Sequence, residues 1–207
     1  MRYSRIPDEA IRRLPLYLRG LILAFEQGRK NISSDNLADY VGVYPWQIRK
    51  DFSYFGDFGT RGVGYDVEKL IKEIKRILKL NNSPKAALVG VGNLGMAILA
   101  FPGFGIYGLD IAAAFDVNPK KIGRTIKGIT IENISNLETI QKRKMKLAVM
   151  AVPRKAAPEI ADLLVNSGVR GILNFSPCYL AVSKKVKVIT IDIAMDMARL
   201  PYYLPTR

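Results

Sequence analysis

The chain has 207 residues, 49% of them hydrophobic, which is enough for one domain or for two small ones. It contains one cysteine and no histidine, which excludes an internal disulfide, the usual zinc sites and catalysis by a histidine base. The formal net charge of +14 favours a polyanionic partner such as nucleic acid, but the basic excess is spread along the chain and does not locate a binding site.

The first 80 residues are predicted to form a compact helical head. Apolar residues recur at helical spacing over residues 10–27, and Gly28 ends that run. A second amphipathic helix is predicted over residues 66–80, followed by a linker over residues 81–84. Neither the N-terminus nor any later run is apolar enough for a secretory signal or a membrane helix, so we expect a cytoplasmic protein without membrane contact.

Between these two helices lies a pattern typical of a helix-turn-helix. Ser33 or Ser34 can cap its first helix. Ala38 is small where two helices would cross, and Gly42 suits a turn with positive φ. Pro45 suits the first turn of the second helix, where its missing N–H costs nothing. The side chains that this second helix is predicted to expose are Tyr44, Trp46, Gln47, Arg49 and Lys50.

These exposed side chains are of the types that contact the bases, phosphates and sugars of DNA. The stretch that follows, residues 54–65, combines four glycines with aromatic residues, and this composition indicates a β-hairpin wing. Arg61 and Gly62 lie near its tip, where a cation can enter a minor groove. We therefore predict a winged helix that binds double-stranded DNA through the two serines, the second helix and the wing tip. The alternative is an ordinary helical bundle with Tyr44 and Trp46 in its core.

From residue 85 the pattern changes to short apolar runs separated by helical stretches, which is typical of a parallel sheet with crossover helices. The predicted strands are 86–90, 111–116, 147–151, 171–174 and 187–191. The first strand leads into a G-x-G-x-x-G loop and a predicted helix over residues 94–101. The residues of this loop are Gly90, Val91, Gly92, Asn93, Leu94 and Gly95.

Such a loop holds the pyrophosphate of a dinucleotide at a helix N-terminus. Gly90 would permit the tight turn, Gly92 would let the backbone approach the pyrophosphate, and Gly95 would let helix pack on strand. Asp116 ends the next strand, 21 residues after the third glycine, where an acid accepts hydrogen bonds from the adenosine ribose. A carboxylate there favours NAD over NADP. Three nearby basic residues temper that preference: Lys120, Lys121 and Arg124.

Ligands of open α/β sheets bind at the carboxyl ends of the strands, so the loops after later strands are expected to line the nicotinamide half of the site. The further predicted cofactor-binding residues are Val117, Val152, Pro153, Phe175, Ser176 and Pro177. Ser176 and Cys178 could act as nucleophiles, but the chain has no histidine to activate them. We predict neither a catalytic residue nor a metal site.

A short apolar helix is predicted over residues 195–203, at the end of the chain. An apolar helix on the surface of a small domain needs a cover. Either its own domain or a second subunit could supply that cover.

Four stretches of the chain together resemble the Rex family of redox-sensing transcriptional repressors. They are residues 44–65, 89–95, 115–119 and 171–177, and the resemblance extends over essentially the whole chain. It implies a homodimer in which NADH releases the protein from palindromic operator DNA, while NAD+ competes and favours the DNA-bound state. The domains that it implies are a winged-helix head at 1–80, a Rossmann-like NAD(H)-binding domain at 85–191 and a helix at 192–207 that swaps into the partner.

The resemblance also implies a switch between the head and the rest of the chain. In the family an arginine of the first helix pairs with an aspartate before the swapped helix in one state, and the matching residues here are Arg19 and Asp192. Some relatives have a tyrosine in the glycine-loop helix that bonds this aspartate. The residue at that position is Phe101, which has no hydroxyl group and cannot make that hydrogen bond.

Two alternatives stay open from the sequence. An NAD-dependent oxidoreductase with a helical accessory domain would need a proton donor, and no convincing donor is evident. A module that binds CoA or another nucleotide would share the sheet and the glycine-rich loop, and Asp116 argues against it.

Overall fold

The computed structural model describes residues 6–205, which divide into two compact units between Asn82 and Ser83. Residues 1–5, part of the stretch predicted to lack a secretory signal, lie outside the described residues. So do residues 206 and 207, which end the predicted C-terminal segment. Within residues 6–205, no helix is both long and apolar enough to cross a membrane.

The first unit is a winged helix, as predicted. Its elements are α1 (Asp8–Glu26), β1 (Asn31–Ile32), α2 (Ser34–Val41), α3 (Pro45–Ser53), β2 (Gly59–Thr60), β3 (Gly64–Asp66) and α4 (Val67–Ile77). The central strand β3 pairs antiparallel with both β1 and β2. The β2–β3 hairpin is the wing, and we call α3 the recognition helix.

Local signals place the helices of this unit where the sequence predicts them. The Ser33 hydroxyl caps α2 by accepting the N–H of Asn36 at 3.0 Å, and Gly42 ends α2 with φ +65°. The recognition helix begins at Pro45. The close approach of α1 to α2 at Gly20, where a β-carbon would lie 2.6 Å from the Val41 side chain, was not predicted.

One fully buried carboxylate joins the recognition helix to α1. Asp51 accepts two hydrogen bonds from the guanidinium of Arg13, at 2.5 and 2.9 Å, and one from the hydroxyl of Tyr17 at 2.6 Å. The fourth hydrogen bond to Asp51 comes from its third partner, the side-chain amide of Gln47, at 2.7 Å. Burial alone would raise the pKa of Asp51, but the hydrogen bonds from Arg13, Tyr17 and Gln47 hold that pKa below its ordinary value.

We expect Asp51→Ala to lower the free energy of unfolding by about 3–5 kcal/mol, because it leaves the Arg13 guanidinium without its carboxylate. The stabilisation by Asp51 should be fully present above the ordinary carboxyl pKa and should be lost as pH falls through the lowered native value. Urea unfolding followed by circular dichroism, repeated from neutral to acidic pH, measures both effects. Equal free energies of unfolding for the unaltered chain and Asp51→Ala at neutral pH would contradict the prediction.

The second unit is a Rossmann-like α/β domain. Its elements are β4 (Lys85–Val89), α5 (Asn93–Ala100), α6 (Gly103–Ile106), β5 (Asp110–Asp116), β6 (Thr125–Ile126), β7 (Ile129–Asn133), α7 (Thr139–Lys142), β8 (Leu147–Met150), α8 (Ala157–Asn166), β9 (Gly171–Asn174), β10 (Lys187–Thr190) and α9 (Ile193–Arg199). Short 3-10 helices span Ile134–Asn136 and Leu200–Tyr203.

The described strands of this unit lie in the order β10-β9-β8-β4-β5-β7-β6, and all are parallel except for the antiparallel pair β6–β7. The five predicted strands are confirmed, each within one residue at its ends. The pair β6–β7 was missed, because β6 has two residues and β7 is a five-residue segment whose two isoleucines are separated and followed by polar residues. Apolar clusters cover both faces of the sheet, one including Phe115 and Met150 and the other including Leu88 and Val149.

The strand order places a ligand crevice at the carboxyl end of β4. This strand pairs with β5 on one side and with β8 on the other, so the chain changes direction along the sheet at this point. A crevice opens at the carboxyl end of the strands wherever the order reverses in this way.

The predicted C-terminal helix is present as α9 followed by the second 3-10 helix. Its apolar side chains are exposed in this chain: Ile193, Met195, Met197, Leu200, Tyr202 and Tyr203. The sequence left open whether this helix is covered by its own domain or by a second subunit. Because its apolar side chains are exposed, docking on its own domain is not seen.

Candidate functional site

The glycine-rich loop forms the floor of the crevice at the end of β4. Gly90 has φ +91°, and a β-carbon there would collide with the backbone of Ala151. A β-carbon at Gly95 would collide with the carbonyl oxygen of Gly90, so this glycine lets α5 pack closely on the loop. At Gly92, in contrast, a β-carbon would meet no atom of the described residues within 4 Å. Gly92 thus leaves open the space where a pyrophosphate would approach the backbone.

The loop borders a cleft of about 550 Å³. The predicted residues that line the cleft are Gly90, Gly92, Asn93, Leu94, Asp116, Val117, Val152 and Pro153. Side chains that were not predicted to belong to the site complete the lining, and these include Asn118, Lys121, Ile134, Ala156 and Ile160. Of the basic residues Lys120, Lys121 and Arg124, Lys121 is the one that reaches the cleft. Its position shortly after Asp116 in the chain could have indicated that it belongs to the site.

Five predicted cofactor-binding residues are not part of this lining. Val91 and Gly95 are buried residues of the loop itself. Phe175 packs in the core beside the sheet and Pro177 is exposed, so neither forms a wall of the cleft. Ser176 is buried, and its hydroxyl donates to the carbonyl oxygen of Val152 at 2.6 Å. The Ser176 side chain points inward after the end of β9 and does not face the cleft. It therefore holds the loop that contains Val152 in place.

Asp116 joins the glycine-rich loop to the turn after β5. Its carboxylate accepts the backbone N–H groups of Val91 and Asn118, both at 2.8 Å, and lies 3.2 Å from the Lys121 ammonium. Burial alone would raise the pKa of Asp116, but these three hydrogen bonds lower it, so the carboxylate is ionised at neutral pH. A carboxylate has about four acceptor positions, which leaves about one for a ribose hydroxyl.

We expect Asp116→Ala to weaken NADH binding by about 10- to 100-fold, because it removes a charged acceptor worth about 1.5–3 kcal/mol. Binding of the unliganded chain to DNA should not change, since Asp116 lies in the second unit. Isothermal titration with NADH measures the first effect, and Asp110→Ala is the control, because it removes an exposed carboxylate of the same strand that lies outside the lining of the cleft and should leave NADH affinity unchanged. Unchanged NADH affinity in Asp116→Ala would contradict the assignment.

The outer side of the recognition helix carries exposed aromatic and basic side chains. Tyr44 is 74% exposed and Trp46 is 56% exposed, and their rings stack at 6.3 Å. The alternative in which both form the core of a helical bundle is therefore wrong. Lys50 is exposed as predicted, whereas Gln47 is only partly exposed and its amide already donates to Asp51. The expectation that Gln47 is freely exposed is thus corrected.

The N-terminus of α2, the recognition helix and the wing meet around one recess of about 420 Å³. The predicted DNA-binding residues that line it are Ser33, Ser34, Arg49, Arg61 and Gly62. The Arg49 guanidinium donates to the Ser34 hydroxyl at 2.5 Å and lies 3.9 Å from Asp35, so it faces the recess. Ser34 is itself buried, whereas the wing-tip residues are exposed.

The three residues of the predicted switch are divided between the two units. Arg19 is exposed on α1 of the first unit. In the second unit, Asp192 caps α9 by accepting the N–H of Met195 at 3.1 Å. Phe101 is 60% exposed and packs edge-on against Phe104. Across residues 6–205, no cluster of three or more metal-ligating side chains is found.

Comparisons with known proteins match both units. Residues 5–53 match the family model described as a putative DNA-binding protein N-terminus, and residues 81–178 match the one described as a CoA binding domain. The redox-sensing transcriptional repressor Rex of Chloroflexus aurantiacus is 45% identical over 199 residues, which cover 96% of this chain and 94% of the relative. Rex of Thermus thermophilus is 42% identical over 198 residues, covering 96% and 93%.

Solved structures of RSP, a Rex-family repressor, match the same range of the chain. The complex of RSP with β-NAD+ and operator DNA is 32% identical with a TM-score of 0.89, and the match covers 96% of this chain and 92% of that one. The complex of RSP with β-NADH is 31% identical with a TM-score of 0.85, covering 96% and 94%.

Proposed function

This chain belongs to the Rex family of redox-sensing transcriptional repressors, and on that basis we propose that it is a repressor that leaves its operator DNA when NADH binds. The observation that carries the proposal is the presence on one chain of an exposed winged helix and a dinucleotide cleft. The structures of RSP with NAD+ and operator DNA, and with NADH, support operator DNA and a nicotinamide dinucleotide as the two kinds of ligand.

In the cleft, the loop at Gly92 would hold the pyrophosphate and Asp116 the adenosine ribose. Val152 and Pro153 would border the nicotinamide half. NAD+ carries a positive charge on that ring and NADH does not, so this half of the site is where the two forms can differ in affinity. Only such a difference between two arrangements of the protein shifts their populations.

On DNA, the recognition helices of two subunits would enter successive major grooves about 34 Å apart, and rotation of the subunits would break that spacing. We propose that the exposed apolar helix α9 is covered by the second subunit of a homodimer. We further propose that Arg19 and Asp192 pair in one of the two arrangements. A repressor acts where its DNA lies, so we place this one in the cytoplasm.

We propose no catalytic role for the cleft. Among the described residues that line it, the titratable side chains are Asp116 and Lys121, which form an ion pair with each other. Ser176, the hydroxyl considered as a nucleophile, is engaged with a carbonyl oxygen. The oxidoreductase alternative needs a proton donor, and the titratable donor of this lining, the Lys121 ammonium, is engaged with the Asp116 carboxylate.

The test is the anisotropy of a labelled palindromic duplex of the family's operator type, with the protein bound, during separate titrations with NADH, NAD+ and CoA. Release by NADH at concentrations where NAD+ has no effect is the expected result. Binding that ignores both dinucleotides would contradict redox sensing. Competition of CoA with NADH would favour the CoA module, and turnover of NADH with small carbonyl compounds would favour the oxidoreductase.

A further inference from the structure

The buried carboxylate of Asp51 lies directly beneath the surface of the recognition helix. Arg13 and Tyr17 of α1 approach it from one side, and Gln47, one helical turn earlier in the recognition helix, donates to it from the other. These four hydrogen bonds use about all of the acceptor positions that a carboxylate has. The hydrogen bonds from α1 therefore hold the Asp51 carboxylate in one well-defined position.

The chemistry of this contact fixes the amide of Gln47. An ionised carboxylate can only accept hydrogen bonds, so the NH₂ group of Gln47 must face Asp51 and its carbonyl oxygen cannot. The low pKa of Asp51 keeps the carboxylate ionised at neutral pH. An exposed glutamine amide can rotate and present either end, whereas Gln47 is held with its carbonyl oxygen and its second N–H available.

Gln47 is partly exposed on the helix that is proposed to read bases. It follows the exposed Trp46 and precedes the two basic residues of the same helix, Arg49 and Lys50. A glutamine amide in a major groove pairs with adenine through two hydrogen bonds, accepting from N6 and donating to N7. That pairing needs one particular orientation of the amide, and a preset orientation lowers the entropy cost of forming it.

We propose that Asp51 is a positioning residue for base recognition, which orients the Gln47 amide so that Gln47 reads an adenine in each half of the operator. The proposal rests on the proposed function, since it requires that the head binds operator DNA. It assigns sequence selectivity to a group that would not touch the DNA.

The experiment starts with the full-length protein and a library of randomised palindromic duplexes. Sequences selected by the unaltered chain define its operator, and equilibrium constants are then measured on that operator and on duplexes with each A·T pair replaced. Gln47→Ala should lose its preference at one position of each half-site, by about tenfold or more, while other positions keep theirs. Unchanged preferences in Gln47→Ala would overturn the proposal.

Asp51→Asn tests the positioning role, because an asparagine amide can donate to the Gln47 carbonyl as well as accept from its NH₂. It should reduce the preference at the same position as Gln47→Ala, and the double variant should lose no more than Gln47→Ala alone. An equal loss of affinity for all duplexes, or a further loss in the double variant, would show that Asp51 only supports the helix and would overturn the proposal.

Tyr17→Phe is the matched control. It removes one hydrogen bond from Asp51 but leaves both hydrogen bonds from Arg13, which hold the carboxylate, and the contact with Gln47, so base preferences should stay as in the unaltered chain. A change in preference as large as that of Asp51→Asn would contradict the proposed route through Gln47. Circular dichroism of each variant shows whether the head has folded.

A measurement on the unaltered chain does not depend on the folding of any variant or on DNA. The side-chain NH₂ of Gln47 should show restricted motion and slow hydrogen exchange by NMR, in contrast to the exposed Gln141. Equal mobility of the two amides would overturn the inference. If no duplex is selected by the unaltered chain, the proposed function fails instead, so the two failures are distinguishable.

Discussion

A Gly92→Val chain is expected to stay on operator DNA at NADH concentrations that release the unaltered chain. Gly92 has φ −78°, which any residue can adopt, and its β position faces open space in the cleft. The valine side chain would occupy the space in which the pyrophosphate meets the loop. We expect a loss of NADH affinity of about 100-fold or more, which corresponds to about 2.7 kcal/mol.

The measurement combines titration of NADH into the free protein with release of labelled duplex. The control is Gly105→Val. Gly105 also has open space at its β position and no positive φ, so it should accept a valine as Gly92 does. It lies in α6, outside the lining of the cleft. Its NADH response should be that of the unaltered chain. Release of Gly92→Val from DNA at the same NADH concentration as the unaltered chain would refute the assignment of this loop.

We expect Arg49→Ala and Lys50→Ala each to abolish operator binding, with NADH affinity unchanged. Both side chains lie on the recognition helix, Arg49 facing the recess between helix and wing and Lys50 exposed. Each basic contact with DNA contributes about 1–3 kcal/mol, and a homodimer would lose it twice, so affinity should fall by about 30-fold or more.

Anisotropy of the labelled operator duplex at several salt concentrations measures this effect. Lys72→Ala is the control, because it removes the same charge from an exposed lysine of α4 that pairs with Glu68. It should change operator affinity only slightly. Loss of both DNA and NADH binding in Arg49→Ala or Lys50→Ala would indicate misfolding, and full operator affinity would refute their roles.

Local signals in the sequence carry most of the fold. The cap at Ser33, the turn at Gly42 and the start at Pro45 are contacts within a few residues, so their spacing alone predicts the helix-turn-helix. Of the five predicted strands, β4, β5, β8 and β9 are apolar runs with buried side chains, and such runs are visible in sequence. The edge strand β10 is mostly exposed, but its two central residues are apolar as well. The two-residue edge strand β6 and its neighbour β7, in which polar residues separate and follow the two isoleucines, have no such run, which is why they were missed.

The parts of the structure that the sequence did not predict depend on contacts between residues that are far apart in the chain. Arg13 and Asp51 are 38 residues apart, and nothing in their spacing indicates that they meet. Ser176 lies after a predicted strand, but whether its hydroxyl faces the cleft or the Val152 carbonyl depends on how two loops pack. The end of a strand could therefore be predicted, whereas the direction of the side chain there could not.

The stacked pair of Tyr44 and Trp46 gives the protein a spectroscopic signal of its own. Trp46 is the only tryptophan in the chain, and it lies exposed on the recognition helix. Its ultraviolet emission therefore comes from the surface proposed to meet DNA, and bases that stack near the indole or exclude water from it should quench or blue-shift that emission. Occupancy of the operator could then be followed without a label, in a chain whose ten tyrosines transfer energy to this one indole.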